Sequence, residues 1–435
     1  MSTRDIALPP SALAVRDEPY ARPSGLSLRS NFIWMLSGNA VYAACQWMAI
    51  VALAKLGSSF MVGQFSLGLA ISTPVLMFTN LHLRAVQATD ARRSYSFREY
   101  LQLRISLTFI GLLVIIGIVL FSHHSRQTAL VVLLVAAAKA IETVSDIHYG
   151  LFQLNDRLDQ TGKSMMIRGV LAAAALGGAL YFTHSLLWGC AAMAVVWLAA
   201  LIMFDARRGR RLHARREVSL KNGRFQLLCT ALPLGLATTM AALNLNMPRY
   251  FIHTHLGERE LGIYSALAYT TTAMVLVSDS LGHSAIPRLS RLYSAGSVQK
   301  YRALLGRLLA IGVALGSVGV IAARGFGERL LGLIYGREYA AHYRVFVLLI
   351  FATAIYCVAS MFTSAMTAAR RFRIQVPLYA LIVGTNAFAC AHWVPSAGLT
   401  GAAQAMMLAS IVHLALGATI LGLLLKVRPA GQFSC

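Results

Sequence analysis

The sequence predicts an all-α integral membrane protein of about 12 transmembrane helices, set as two pseudo-symmetric six-helix lobes around a central cavity. Three observations carry this. Apolar stretches of about 18 to 25 residues, the length a helix needs to cross a bilayer, follow one another with almost no polar sequence between them. The 435 residues are 57% hydrophobic and only 13% charged, so lipid is the solvent and each span must satisfy its backbone internally, as a helix does. Finally, short strings at the span ends recur about 200 residues apart, as duplicated bundles require.

The spans of the first half run at Asn31 to Ala54, Phe60 to His82, Ile105 to Ser122, Thr128 to Gly150, Met166 to His184 and Leu186 to Asp205. Those of the second run at Phe225 to Pro248, Leu261 to His283, Leu304 to Ala323, Val345 to Thr367, Ile374 to Trp393 and Gly398 to Leu425. The chain thus divides into a flexible tail over 1–30, an N-lobe over 31–205, a basic linker over 206–224, a C-lobe over 225–425 and a short tail over 426–435. The first tail carries Pro9, Pro10, Pro19 and Pro23 among Arg and Ser, with no apolar core of signal-peptide length before Asn31. Mixed charges around Phe326 to Tyr343 suit an amphipathic connector at the outer surface.

A net charge of +23 would suggest nucleic acid as partner in a soluble protein, but placement excludes that reading here. Alternating loops and the adjoining span ends put about 30 of the Lys and Arg on the side holding both termini, about 8 on the other and one, Lys139, deep inside a span, which makes both termini cytoplasmic. The densest cluster, Arg207, Arg208, Arg210, Arg211, Arg215, Arg216, Lys221 and Arg224, lies between spans six and seven. It anchors topology on anionic lipid head groups, or it docks a partner enzyme. The six cysteines, Cys45, Cys190, Cys229, Cys357, Cys390 and Cys435, have no metal-ligand spacing, so neither a disulfide framework, a metal nor a cofactor is expected.

Two string pairs show the duplication. Leu56-Gly57 with Val62-Gly63-Gln64-Phe65-Ser66 matches Leu256-Gly257 with Leu261-Gly262-Ile263-Tyr264-Ser265, and Leu187-Trp188-Gly189-Cys190-Ala191 matches Leu399-Thr400-Gly401-Ala402-Ala403. Both pair span n with span n+6. An even offset keeps the copies in one orientation, about an axis along the membrane normal.

Ionisable residues within spans are costly and mark function or pairing. Lys139, Glu142 and Asp146 fall at i, i+3 and i+7, on one face of span four. They form either a self-neutralising ion pair against a neighbouring helix or a cavity wall whose carboxylates carry a coupling ion. Asp279 and His283, one turn apart in span eight, are candidates for the same role or for interfacial contact with water. Arg249 follows Pro248 near the outer end of span seven, where a guanidinium either grips an anionic group or snorkels to head groups. Asn39, Gln46, Asn80, Asn244 and Asn246 are amides that bind sugar hydroxyls or other helices; aligning Gly57 on Gly257 sets Gln46 opposite Asn246. No Gly-rich phosphate loop, HExxH or long soluble loop is found, so an enzyme is not expected.

Longer strings carry a resemblance. Leu53-Ala54-Lys55-Leu56-Gly57-Ser58, Asn80-Leu81-His82-Leu83-Arg84, Asp146-Ile147-His148-Tyr149-Gly150, Pro248-Arg249-Tyr250, Ile286-Pro287-Arg288-Leu289-Ser290 and Tyr335-Gly336-Arg337-Glu338-Tyr339 are similar to those of polysaccharide flippases of the Wzx type. These belong to the multidrug/oligosaccharidyl-lipid/polysaccharide exporter superfamily. The resemblance implies a multi-pass protein of the bacterial inner membrane. Its substrate would be an undecaprenyl-diphosphate-linked oligosaccharide, moved to the periplasmic leaflet by alternating access coupled to H+ or Na+ and passed toward a polysaccharide polymerase complex. Under that expectation Arg249, Lys139 and Arg84 meet the diphosphate, and Glu142, Asp146, Asp279 or His283 handles the ion. A cation-coupled drug extruder of the same superfamily is the alternative, and a membrane glycosyltransferase is disfavoured by the short loops.

Overall fold

The computed structural model describes residues 26–90, 95–122, 124–212, 223–369 and 372–426. Among these residues the chain is helical and contains no strand. Serines at the span borders start the early helices by accepting from free backbone N–H groups. Ser27 opens α1 (Leu28–Leu56), Ser58 opens α2 (Ser59–Asn80), and a Ser96–Glu99 capping box opens α4 (Phe97–Phe121). Between them lies the short α3 (Leu83–Thr89), reached through Leu81 and His82, both left-handed. Ser125 opens α5 (Arg126–Leu154); α6 (Leu158–Thr183) and α7 (Leu186–Ala200) follow, the latter passing through a π-helical turn, Leu201–Ala206, into α8 (Arg207–Leu212).

The second half holds α9 (Gly223–Leu256), α10 (Glu258–Thr270), α11 (Thr272–Ser294), α12 (Val298–Ile334), α13 (Arg337–Ala340), α14 (Tyr343–Ala368) and α15 (Phe372–Lys426). Nine helices among the described residues are long and apolar enough to cross a membrane, or ten with the pair α10–α11, bent by 42°. One of the nine is α15, whose 55 residues are twice a crossing and break at Gly398 (φ 58°, ψ −137°), a left-handed geometry that suits glycine. Divided there, and joined by the 34-residue α9, the set reaches the twelve spans read from sequence.

The boundaries differ in three places. The stretch Phe326 to Tyr343 is not a separate surface connector. Its first part continues α12, which runs 37 residues to Ile334, and after the turn at Tyr335 and Gly336 its second part forms the four-residue α13. The first helix begins at Leu28, inside the expected tail, and the expected linker is helical over Arg207–Leu212 and again from Gly223. Residues 1–25, 213–222 with Arg215, Arg216 and Lys221, and 427–435 lie outside the described residues.

Packing repeats between the halves. In the first, α4 lies on α5 with α2 touching both; in the second, α12 lies on α14 with α11 touching both. α1 lies along α6 as α9 lies along α15. The halves meet through α2, which packs against α9 and α10. A Cβ on Gly63 would strike the backbone of Glu258, and a Cβ on Gly262 the backbone of Ser59. Ser59 and Glu258 lie 199 residues apart, as do Gly63 and Gly262. The duplicated motif therefore pairs with its own copy as a two-fold contact, and glycine is required because the two backbones touch.

This contact lies at one end of the molecule, with the turns at Gly57, Gly257 and Gly336. Other bonds join the halves there: Trp47 Nε1 donates to Tyr335 Oη at 2.7 Å, Lys55 Nζ to the Leu333 carbonyl at 2.8 Å and Ser59 Oγ to Glu338 at 3.0 Å. The other, basic end carries Arg157, Arg207 and Arg208. Buried Asn31 holds the first half together there, donating to the Asp156 carbonyl at 3.0 Å and accepting from Leu158 N–H at 3.1 Å. Asn31→Ala leaves the Leu158 N–H unpaired, the Asp156 carbonyl keeping the Leu26 N–H at 3.1 Å, and should cost about 1–3 kcal/mol, read as a lower thermal midpoint of the purified protein.

Candidate functional site

A cavity of about 840 Å³ lies toward the basic end. The first half lines most of it, with Asn80, Arg84, Lys139, Glu142 and Asp146; His283 of α11 closes it from the second half. The i, i+3, i+7 face of α5 is thus a cavity wall. Its ion pair is real as well: Lys139 Nζ lies 2.6 Å from Glu142 Oε2.

Each carboxylate on this wall sits between two cations. Asp146 takes Arg84 at 3.2 Å and Arg104 at 3.5 Å, one on each oxygen. Glu142 takes Lys139 on one oxygen, and on the other Arg168 at 3.3 Å together with the Tyr42 hydroxyl. Gln46 donates to that hydroxyl at 2.8 Å. Two cation–carboxylate–cation triads therefore stand one turn apart on α5, and each carries one positive charge in excess.

Aromatic rings offset the cost of burying these cations. The Arg168 guanidinium, nearly inaccessible, lies 5.1 to 5.6 Å from the ring centres of Tyr42, Tyr149 and Trp197. Lys139 faces Trp197, and Arg84 faces Tyr149. Nε and Nη1 of both Arg104 and Arg168 have no hydrogen-bond partner. Their fields reach the cavity through a dry wall.

Neither Arg104 nor Arg168 was expected, because the first stands just before its apolar run and the second within the first turn of its own. The capping box was the available signal: Ser96 with Glu99 three residues later starts α4 eight residues before Ile105, so that Arg104 is two turns inside. Asp205 was read only as a span end; it is fully buried on the π-helical turn, with Ser164, Ser145 and Arg168 as its polar neighbours.

The remaining candidates are dispersed. Asn39 is exposed on the α1 face shared by Met35, which lines the cavity, and Gln46. Asn244 accepts from Asn386 of α15 at 2.9 Å, while Asn246 bonds back to the Ala242 carbonyl. Arg249 is held by Asn246 at 2.6 Å, between the cavity and the glycine contact, with Nε unpartnered. Asp279 is half-buried, within electrostatic reach of His283 and Tyr356. Among the described residues no cluster of His, Cys, Asp and Glu could hold a metal ion.

An all-helical, multi-pass membrane protein with a basic cavity between two bundles has the form of a transporter. Over residues 28–293 the chain matches the family described as polysaccharide biosynthesis protein, and it belongs to that family. The capsular polysaccharide biosynthesis protein CapF of Staphylococcus aureus is 25% identical over 391 residues, covering 88% of this chain and 96% of CapF. The fold is that of MATE transporters of the MOP superfamily. The Vibrio cholerae MATE transporter VcmN superposes with a TM-score of 0.63 at 13% identity, covering 92% of this chain and 97% of VcmN. A MOP superfamily transporter from Pyrococcus furiosus, noted for the reverse polarity of its binding pocket, does so with a TM-score of 0.59 at 15% identity, covering 91% and 95%.

Proposed function

We propose that the chain is a flippase that moves an undecaprenyl-diphosphate-linked oligosaccharide from the cytoplasmic to the periplasmic leaflet of the bacterial inner membrane by ion-coupled alternating access. The observation that carries this reading is the pair of triads. Four cations against two carboxylates make an electropositive wall, and a carboxylate between two cations is a counter-ion that a phosphate can displace. Arg84 and Lys139 take the diphosphate first, and Arg249 is the next cation toward the sealed end. Glu142 and Asp146, with Asp279 and His283 opposite, balance that charge. A cationic drug would meet net repulsion from the same wall.

In this reading the basic end is cytoplasmic, with both termini, and the lobes 31–205 and 225–425 rock about the glycine contact. The polyprenyl tail stays in lipid while the sugars occupy the wet cavity, because their hydroxyls cannot cross hydrocarbon unsolvated. Outward movement across a membrane negative inside releases about 2.3 kcal/mol per charge per 100 mV.

Deleting the gene in its host and extracting lipid-linked intermediates tests the function. A complete repeat unit accumulating on the carrier, with surface polymer lost, supports it; unchanged pools and polymer reject it. Arg84→Ala and Lys139→Ala should each abolish polymer export at normal membrane abundance, measured by surface-polymer staining and immunoblot. Loss of the protein itself would return these residues to a purely structural role.

A further inference from the structure

At the sealed end two imidazoles meet across the seam. His124, in the turn between α4 and α5, stands edge-to-face with His253 in the last turn of α9, ring centroids 5.0 Å apart. His253 Nε2 lies 4.0 Å from Glu258 Oε1. That oxygen accepts from the Thr128 hydroxyl at 2.6 Å, and the hydroxyl accepts from Gln64 Nε2 at 2.8 Å. The cluster ties α2 and α5 of the first half to α9 and α10 of the second, beside the contact of Gly63 with the Glu258 backbone. Both rings are half-buried.

Among the described residues, Glu258 from α10 is the charged group that faces the rings. Gln64 from α2 and Thr128 from α5 are neutral. Arg126 starts α5 with its side chain exposed, Tyr250 donates to the Ala70 carbonyl, and His255 stacks on Phe251. Two imidazoliums here would share one carboxylate and repel each other in a partly dry seam.

We propose that His124 and His253 are a proton-binding site: protons arriving from the outer side charge the pair, part the seam and open that end, so that acid on the outer side controls its opening. The inference deepens the flippase reading and takes its direction of transport from it. Opening under acid depends only on the seam. Burial pushes His124 below the ordinary imidazole range, against an opposing pull from Glu258. A hydrated ring in the open state regains the ordinary value. The closed state is therefore favoured above the imidazole range and loses that advantage as pH falls through it.

The test uses the full chain in lipid nanodiscs, cysteine-free apart from Thr183→Cys and Ser396→Cys, which place spin labels on the two halves at the sealed end. Lowering the pH from about 8 to about 5 should shift the inter-label distance to a longer population. The closed-to-open ratio should fall about tenfold for each pH unit by which burial lowers a ring. His124→Gln with His253→Gln should keep the short distance at both pH values. Either single variant should retain roughly half of the response on a logarithmic scale. A parent that does not respond, or a double variant that still does, overturns the proposal. An intact pH response alongside normal lipid-linked pools in the deletion strain would instead reject the flippase reading and leave the proton site standing.

Discussion

Replacing Glu142 by glutamine should destabilise the protein by up to about 3–5 kcal/mol, the cost of stranding the buried Arg168 guanidinium by removing its carboxylate. The carboxylate accepts from Lys139, Arg168 and Tyr42. An amide of the same size keeps at most part of that bonding and none of the charge, so two cations face each other with aromatic rings as their remaining compensation. Adding Lys139→Met to Glu142→Gln removes one of the stranded cations and should recover part of the loss. Thermal unfolding of the purified variants in one detergent checks both statements. A Glu142→Gln protein as stable as the parent would show that the triad does not balance charge as argued.

The second large effect concerns the seal. Gly262→Val places a branched side chain where the Ser59 carbonyl lies, and α2 and α10 can then approach only by moving their backbones. Overpacking of this kind costs about 1–3 kcal/mol, occasionally more, and all of it falls on the state in which this end is closed. The expected result is a protein present in the membrane, inactive in polymer export and open at the sealed end. With Gln64→Cys as the sole thiol, buried beneath the seal in the parent, an impermeant maleimide should label the Gly262→Val background and spare the parent. Absence of labelling in both would show that the contact is not what closes this end.

Much of this was legible in the sequence. Span number follows from length and hydropathy, and the wall of α5 follows from the i, i+3, i+7 spacing, because helical periodicity survives in any solvent. The glycine repeat was visible as a repeat, but that its two copies would touch each other is a property of tertiary packing. Arg104 and Arg168 escaped because hydropathy marks where lipid begins, whereas a helix begins where its cap is; Ser96 and Glu99 carried that information for α4. Arg168 has no such sequence marker: α6 starts at Leu158 with no capping bond from the Arg157 side chain, and the rings that shelter the guanidinium come from three other helices. The division between the last two spans, placed in the sequence between Trp393 and Gly398, coincides with the break of α15 at Gly398.

The contact of Gly63 and Gly262 also governs how the molecule gives way. Charged bridges pull over several ångströms and soften gradually, but backbone atoms in touch are held by dispersion, and a gap of about 0.5–1 Å already forfeits a quarter to a half of that attraction. Such a joint is brittle rather than elastic. It holds to a small displacement and then lets go, leaving few stable half-open positions through which ions could leak past a passing substrate.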